Sequence, residues 1–507
     1  MKRNLLVTVL ILALIAAFAS WALADEAQPQ YGGTLRYAAY DIPGSLDPQH
    51  CLHRGLTTQY IAFEKLLQYN QKLEFEPVLA ISWDIPDSLT YIFHLRKGVL
   101  FHDGSSFNAE VVKFNFERLQ SDYSEYQADF SIVRNVEILD NYTVKILLEK
   151  PYAPFLDLLA SSRGYIISEK AVKEHGDEWF QKHPVGTGPF KFQSWDIMGT
   201  LLFAKFENYW RKELPYLDAV EFIKIPDETT RVLALEAGEV DYAYKIPLVD
   251  LPRVKKIGGV ISNGAQGNTI DYFLFNCSKP PFNDKRVREA FALAIDVDKL
   301  DSFIGNIEPE VGPLPFKNWG HNPEIKSVPY DPAKAKKLLA EAGFSKGLTV
   351  DLLIRTAHPR KSQAAEIAEQ MLGQIGVTVN ILTLESATAI SREQSGDFEF
   401  GALHYGGGGR IDPDGNLRLF YPGAPFNYSG FTDPTLTTLL DLGIRITDRK
   451  ARQQLYWEAE KIITEGFPMI WIGELLEYNG YNSYVHGVIL EASGYILKTS
   501  EIWLSKP

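Results

Sequence analysis

The sequence lacks the short motifs that mark the common hydrolases and redox enzymes. It contains no G-x-S-x-G, no H-E-x-x-H and no C-x-x-C, so those families of enzyme have no support here. Acidic neighbours such as Asp412 and Asp414 resemble a carboxylate pair, but turn chemistry explains them equally well. We therefore expect a protein that is not an enzyme and that needs no cofactor.

Basic residues are also scarce. Lysine and arginine number 51 against 64 aspartates and glutamates, which gives a formal net charge of -13. Nucleic-acid binders normally carry a basic face, and an anionic membrane surface would repel this protein on average. We expect neither nucleic acid nor an anionic membrane surface as a partner.

Long hydrophobic runs are confined to the N-terminus. Lys2 and Arg3 precede an apolar run from Leu5 to Ala19, and Ala22-Leu23-Ala24 follows it. A basic start, an apolar centre and an A-x-A site predict a secretory signal peptide over residues 1–24. An uncleaved anchor is the weaker alternative, because the run is shorter than the roughly 20 residues that span a bilayer. Export to the periplasm is expected.

Cysteine occurs only twice, at Cys51 and Cys277. The two thiols either pair in an oxidising compartment or stay apart as buried free thiols, and the sequence leaves both alternatives open. Cys51 also lies between His50 and His53, and two imidazoles with a thiolate are ligands that a transition metal accepts. This spacing matches no established zinc pattern, so a plain loop is the preferred interpretation and no metal is predicted.

The most informative stretch runs from Pro77 to Arg118. Apolar and polar residues alternate from Thr90 to Arg96, which predicts a half-buried strand. Asp103-Gly104 supplies a tight turn, and Asn108 is a good N-cap for the helix that follows.

In residue order, this stretch resembles the signature region of the bacterial extracellular solute-binding proteins of family 5. These are the periplasmic peptide-, dipeptide- and nickel-binding components of ABC importers. The positions that match the family pattern are Thr90, Tyr91, Phe93, Leu95, Arg96, Phe101, Asp103, Gly104 and Arg118. The run from Gly186 to Phe190 matches the family's G-T-G-P-[FY] motif. The resemblance implies an α/β fold of two lobes, the type II periplasmic binding protein fold, with an extra subdomain on the first lobe and a two-strand hinge.

The resemblance also implies domain boundaries. Residues 25–276 and 480–507 are expected to form lobe I, with a subdomain over about 70–185. Residues 277–479 are expected to form lobe II. The first crossing between the lobes is placed near Asn276, and the return crossing near Asn479-Gly480-Tyr481.

Lobe II alternates strands with helices in the sequence. Asp331 and Pro332 have the pattern of an N-cap and first helical residue. The strand Leu348–Ile354, the helix Ser362–Ile375 and the strand Val377–Leu384 follow. This order predicts a parallel pair of strands joined by a right-handed crossover.

Arg355 is the first candidate for binding a ligand. It stands at the end of the strand Leu348–Ile354, and open α/β sheets bind ligands at strand ends. In dipeptide-binding relatives, an arginine at this place pairs with the ligand's carboxylate, a role that suits the planar guanidinium. The alternative is a solvated arginine in a loop.

The second candidate is the segment His404-Tyr405-Gly406-Gly407-Gly408-Gly409-Arg410, which Asp412-Pro413 follows. In relatives this place carries a Trp and then an Asp that binds the ligand's ammonium group. Tyr405 matches the Trp, but glycines stand where the Asp is expected, so a blocked amino group is expected to matter little. The glycines allow a ligand to approach the backbone, and Arg410 favours an anionic group. The alternative is a glycine-rich surface loop.

The resemblance thus implies the periplasmic solute-binding subunit of an ABC importer. It would capture a peptide-like or other small carboxylated solute between the lobes and deliver it, as a monomer, to the membrane permease. The residues expected to bind the solute are Arg355, His404, Tyr405, Gly406, Gly407, Gly408, Arg410 and Asn276. A metal or metal chelate of the nickel or haem type is the alternative ligand, with His50, Cys51 and His53 as its candidate residues.

Overall fold

Two large β-sheets organise the fold, one of seven strands and one of six. The computed structural model describes residues 28–50, 57–196, 199–262, 269–305, 307–356, 359–405, 410–424, 426–491 and 496–505. Within those ranges, no helix combines the length and the apolar character needed to cross a membrane.

The strands, in chain order, have the following bounds. Those of the first half are β1 Thr34–Ala39, β2 Glu64–Lys65, β3 Leu67–Tyr69, β4 Phe75–Pro77, β5 Ala80–Asp87, β6 Thr90–Leu95, β7 Val133–Asp140, β8 Thr143–Leu148, β9 Tyr165–Ile166, β10 Phe190–Trp195, β11 Thr200–Lys205, β12 Ala219–Lys224, β13 Tyr242–Ile246 and β14 Gly258–Ser262. Those of the second half are β15 Ile270–Phe275, β16 Ile307–Glu308, β17 Leu348–Arg355, β18 Val377–Leu384, β19 Phe400–Tyr405, β20 Met469–Leu475, β21 Tyr478–Asn482, β22 Val485–His486 and β23 Trp503–Leu504.

The α-helices are bounded as follows. Those of the first half are α1 Thr57–Tyr60, α2 Ala109–Leu119, α3 Gln127–Phe130, α4 Phe155–Ala160, α5 Glu169–His175, α6 Asp177–Phe180, α7 Glu228–Glu236 and α8 Leu251–Ile257. Those of the second half are α9 Lys285–Ala294, α10 Val297–Ile304, α11 Pro332–Glu341, α12 Pro359–Gly373, α13 Ser386–Ser395, α14 Asp414–Leu417, α15 Pro434–Arg445 and α16 Arg449–Gly466. Short 3₁₀ turns cover Leu248–Asp250, Arg418–Phe420 and Thr499–Glu501.

Lobe I is built on the seven-stranded sheet, whose order is β10-β11-β12-β1-β13-β21-β14. β1 lies parallel to both β12 and β13. The carboxyl ends of these three strands therefore lie at one edge of the sheet, beside the start of β21, which runs antiparallel to β13.

The signature stretch contributes β5, β6 and α2 to the subdomain, and residues 133–148 contribute β7 and β8. The four-stranded antiparallel sheet of the subdomain has the order β5-β6-β8-β7, and buried side chains of β6 and α2 such as Phe93 and Phe116 belong to its core. Asn108 caps α2 by accepting a hydrogen bond from the amide of Val111 at 3.1 Å, as the sequence predicts. Arg118 at the end of α2 forms ion pairs with Asp47 and Asp177 and so ties the subdomain to lobe I.

Lobe II is built on the six-stranded sheet β16-β20-β15-β19-β17-β18. β17 is parallel to β18 and to β19, and α12 lies between β17 and β18 in the chain, which confirms the predicted parallel pair with a helix between its strands. One face of the sheet carries Phe273 and Val350 and packs on α9, α11 and α12. The other face carries Tyr272 and Leu353 and packs on α15 and α16.

The chain crosses between the sheets at two places. The first crossing lies between the end of β14 at Ser262 and the start of β15 at Ile270, and the second between Leu475 and Tyr478. The second is close to the expected return, but the first precedes the expected crossing at Asn276. The aromatic run before Asn276 was expected to end lobe I, whereas it forms β15 in the middle of the lobe II sheet, with Phe273 and Phe275 in the lobe II core.

Candidate functional site

The candidate site lies where the two sheet edges meet at the second crossing. β17, β19 and β20 end at one edge of the lobe II sheet, because Ile270 at the start of β15 pairs with both Tyr405 and Glu474. The carboxyl end of β13 in lobe I lies beside Tyr478, directly after the crossing. The two edges therefore flank the same connecting segment and form opposite walls of a cleft.

Arg355 is the last residue of β17 and lies at this edge, as the sequence predicts. Its guanidinium already has an internal partner: Nε and Nη2 both donate to the carboxylate of Glu393 on α13. The Arg355 side chain keeps 22% of its surface exposed, whereas that of Glu393 keeps 1%. Glu393 thus fixes the orientation of the guanidinium through Nε and Nη2. Nη1 is the guanidinium nitrogen that does not donate to Glu393.

A second cation lies beside this pair. Lys361 on α12 approaches the carboxylate of Asp271 at 3.8 Å and contacts Nδ1 of His404. Burial lowers the pKa of Lys361 to about 8, although Asp271 opposes that shift. His404 is itself exposed at the end of β19. The edge therefore carries two cations whose charges are each balanced by a neighbouring carboxylate.

Tyr405 ends β19 and is half-buried. Its ring lies 6.0 Å from that of Phe426, and Phe426 in turn lies 6.4 Å from Tyr428. These rings give the lobe II wall an aromatic surface next to Arg355. The glycines that follow, Gly406, Gly407 and Gly408, lie outside the described residues.

The lobe I wall is aromatic as well. The rings of Tyr40 and Tyr244 stack at 5.8 Å, and the ammonium of Lys245 lies 5.5 Å and 5.6 Å from their centres. Lys245 also pairs at 2.6 Å with Glu477, which lies in the second crossing. Lysine over an aromatic face is a favourable arrangement, and it places a third cation at the cleft.

Arg410 has a different environment from the one expected for a residue that contacts solute. It is 1% exposed, and its Nε donates to Asp157 Oδ2 on α4 of the subdomain at 2.9 Å. Its Nη2 donates to Asp414 and to the hydroxyl of Tyr152, both at 2.9 Å. The anion that Arg410 contacts is therefore a carboxylate of the protein, and the contact joins lobe II to the subdomain.

Asp157 is the centre of this contact. Its Oδ1 accepts hydrogen bonds from the hydroxyl of Tyr69 at 2.8 Å and from the amides of Ile411 at 2.8 Å and Asp412 at 3.1 Å. With the bond from Arg410, donors from both sides surround a carboxylate that is 2% exposed. A buried charge is tolerated when it is paired and fully hydrogen-bonded, and Asp157 meets both conditions only while the lobes are together.

A second ion-pair group continues the same interface. Arg418 of lobe II and Arg163 of the subdomain both donate to Asp129 of α3, at 3.0 Å and 2.8 Å. Burial alone would raise the pKa of Asp129, but the two arginines overcome it and lower the pKa to about 2. Asp129 is therefore ionised in the closed arrangement at every physiological pH.

Two other expected site residues lie elsewhere. Asn276 is at the far end of β15 from Tyr405, and its side-chain amide donates to the carbonyls of Gly396 and Phe398, both at 3.0 Å. It supports a turn inside lobe II and is not brought to the cleft. His50 contacts the carbonyl of Tyr123 at 2.7 Å and stacks on its ring. Its expected companions Cys51 and His53 lie outside the described residues. The structure therefore does not test whether Cys51 pairs with Cys277.

The sequence of the chain is similar to that of known proteins. The model of the bacterial extracellular solute-binding proteins, family 5 Middle, matches residues 74–428 of the chain. The chain belongs to this family. The glutathione-binding protein GsiB of Pectobacterium atrosepticum is 32% identical over 93% of this chain and 92% of its own length. The heme-binding protein A of Haemophilus influenzae is 31% identical over the same shares.

A solved structure extends the family assignment to the whole fold. The periplasmic binding protein DppA from Helicobacter pylori, in complex with the peptide STSA, is similar with a TM-score of 0.79 and 29% identity. The match covers 94% of this chain and 99% of that one. The expected two-lobed α/β fold of a family 5 solute-binding protein is thereby confirmed.

Sequence reasoning on this solute-binding protein missed the carboxylates of the cleft. Glu393 stands in a helix that the sequence did not single out, and Asp157 lies 253 residues from Arg410. Glu474 was missed too, although it is the one acid in the otherwise apolar strand β20. An acid within an apolar strand was the signal that could have found it.

We expect Asp157→Asn to weaken the closed form. Asn keeps only one of the two acceptor oxygens, so its NH2 group would face either Arg410 or the two backbone amides. One set of donors would lose its acceptor, and the unfolding free energy should fall by about 2–4 kcal/mol. Urea unfolding measures this change. Asp84→Asn is the matched control, because Asp84 is an exposed subdomain aspartate paired with His94, and it should change stability by less than about 0.5 kcal/mol. Equal effects of the two variants would contradict the role given to Asp157.

We also expect a pH dependence from Glu474, which is 1% exposed. Burial raises its pKa from 4.5 to about 8, against the opposing charge of Lys317 and with support from Glu308. Because the pKa of Glu474 is higher in the folded protein than in the unfolded chain, protonated Glu474 contributes to stability. This contribution is complete when the pH is below the pKa of the unfolded chain, and it is lost as the pH rises through about 8.

Unfolding free energies measured from pH 5 to pH 9 should therefore fall more steeply for the wild type than for Glu474→Gln. Glu310, whose pKa burial also raises to about 8, stays in both proteins, so some slope should remain in the variant. Parallel curves would show that Glu474 keeps an ordinary pKa.

Proposed function

We propose that this protein is the solute-binding subunit of an ABC importer and that it encloses a small carboxylated, peptide-like solute in the cleft. The observation that carries the proposal is Arg355 at the end of β17, which stays partly exposed and is held from behind by Glu393. Arginine binds carboxylates through planar paired donors, and strand ends that face a crevice are where open α/β sheets bind ligands.

Arg355 receives the solute carboxylate on its Nη1 side in this proposal. Glu393 fixes the guanidinium, so that little side-chain entropy is lost when the solute binds. Lys361 adds a second positive charge nearby, and Tyr405 offers an apolar face to the body of the solute. Tyr40 and Tyr244 cover the solute from lobe I.

The relatives support the same class of solute. Glutathione and the peptide STSA, the ligands named for GsiB and for the Helicobacter protein, each carry a free carboxylate. Enclosure between lobes removes water from the charged contacts and strengthens them. No covalent step is part of the proposal. The protein is exported with residues 1–24 removed, and it hands the solute to a membrane permease.

A haem-type chelate is the second candidate solute. The observation in its favour is the 31% identity to the heme-binding protein A of Haemophilus influenzae. Haem also carries carboxylates, so Arg355 and Lys361 suit it chemically, but its iron needs an axial ligand such as histidine or tyrosine. His404 and Tyr405 are the described residues of the lobe II edge that offer those groups.

Calorimetry with glutathione, short peptides and hemin tests the proposal. We expect at least one carboxylated compound to bind, and small-angle scattering should show a smaller radius of gyration when it does. The amide of each solute, in which the carboxylate is replaced, is the matched control and should bind far more weakly. Equal binding of an acid and its amide would contradict the proposal, as would binding without compaction.

Arg355 should be tested without leaving Glu393 unpaired. Arg355→Ala would strand a carboxylate that is 1% exposed, so a loss of binding in that variant would mix with a loss of stability. The double variant Arg355→Gln/Glu393→Gln replaces the ion pair by a neutral pair that can still hydrogen-bond. We expect it to fold and to bind the carboxylated solute about 2–5 kcal/mol more weakly in calorimetry, because the fully enclosed charge contact is lost.

Arg392→Ala is the control on the same helix, because Arg392 pairs with the exposed Asp397 at 3.0 Å and away from Arg355. It should leave the affinity unchanged. If the double variant binds as tightly as the wild type, the solute is anchored elsewhere.

A further inference from the structure

Glu474 is a buried carboxylate without a hydrogen-bond partner among the described residues. It is 1% exposed, and neither of its carboxylate oxygens has a hydrogen-bond partner within the described part of the protein. Acids are almost never fully buried unless they are paired, because removing a carboxylate from water carries a large free-energy cost. Such a group calls for an explanation.

The register of the lobe II sheet places Glu474 in the last row of the sheet, at the edge that borders the cleft. Ile270 pairs with Tyr405 on one side and with Glu474 on the other, and Glu474 pairs in turn with Glu308. Directly paired residues lie on the same face of a sheet. Glu474 is therefore in one row with Tyr405, two strands away or roughly 10 Å, and it precedes the second crossing by two residues.

The charged side chains around Glu474 are either acidic or already paired with another side chain. Glu310 is buried beside it and accepts a hydrogen bond from the amide of Phe316 at 2.9 Å. Lys317 donates to Glu308 at 2.8 Å. Burial raises the pKa of both Glu310 and Glu474 to about 8. A cation placed between these two acids would stabilise their ionised forms.

We propose that Glu474, with Glu310 beside it, binds an ammonium or guanidinium group of the solute. The proposal rests on the proposed function, because the same solute gives its carboxylate to Arg355. A metal ion is the less suitable occupant, since the described residues contain no group of three or more side chains arranged to hold one. The solute class is thus a molecule with one anionic and one cationic end.

The strand order also sets the length of this solute. Arg355 lies two residues beyond Leu353, which pairs with Gly401 of β19, and it shares a face with the row of Tyr405 and Glu474. From β17 through β19 and β15 to β20 there are three strand spacings, or about 14 Å. An extended chain covers about 3.3–3.6 Å per residue, so a solute of about four residues joins the two charges.

The glycines after Tyr405 predict that a free amino group on the solute matters little, because they replace the acid that relatives carry there. The structure supplies acids from β20 and from the segment after β16, which lie close to Tyr405 in space but not in sequence.

The test compares the wild type with Glu474→Gln and with Glu308→Gln as a control. Glu308 lies in the same row but is exposed and paired with Lys317. The first measurement is thermal unfolding at pH 7 in methylammonium chloride against potassium chloride of equal ionic strength. Methylammonium should raise the melting temperature of the wild type and of Glu308→Gln above the potassium value, and it should not do so for Glu474→Gln.

The second measurement is calorimetry with the tetrapeptide Ala-Ala-Ala-Ala and with its N-acetyl form. Acetylation should weaken binding to the wild type about 10-fold or more, and Glu474→Gln should bind both forms equally. If Glu474→Gln binds the free tetrapeptide as tightly as the wild type, or if methylammonium has no more effect than potassium, the inference is overturned. If methylammonium discriminates between the proteins but no carboxylated solute binds, the cation site stands and the proposed function fails.

Discussion

The closed structure depends on the contact between Asp157 and Arg410. These two residues lie on opposite sides of the cleft, and each is almost completely removed from water. A carboxylate and a guanidinium can be buried only if their remaining donors and acceptors are satisfied. Tyr69, Tyr152 and the backbone after Arg410 supply those partners. The position of lobe II against the subdomain is therefore fixed by a set of polar atoms that is complete only when all of them meet.

The cleft that this contact closes is nearly balanced in charge. Arg355 is paired with Glu393, Lys361 with Asp271, and Lys245 with Glu477. A solute with only a negative charge would enter a site whose cations are already paired with carboxylates. Its binding free energy would therefore be less favourable than with an arginine that has no carboxylate partner. A solute with both charges keeps the balance, because it adds one anion near Arg355 and one cation near the buried acids Glu310 and Glu474. The electrostatics of the walls thus favour a zwitterion.

Local and distant interactions differ in how well the sequence reveals them. The caps of α2 and α11 and the unit β17–α12–β18 follow from residues within a few positions of one another, and the structure confirms them. The family likewise follows from a continuous stretch. The partner of Arg410 is 253 residues away, and no local pattern points to it. The aromatic run before Asn276 shows the same limit. Its residues suit a buried strand in the sheet of either lobe, and only its neighbours in space decide between the two.

A polar interface suits a protein whose lobes must also separate. If apolar side chains closed the cleft, opening would expose them to water and the closed form would dominate with or without solute. When Asp157 and Arg410 separate, each regains hydration, which offsets most of the lost contacts. The open and closed forms then differ by little free energy, and a solute that binds only the closed form can shift the balance by its own differential affinity. We infer that the buried ion pairs specify the geometry of closure and leave its driving force to the solute.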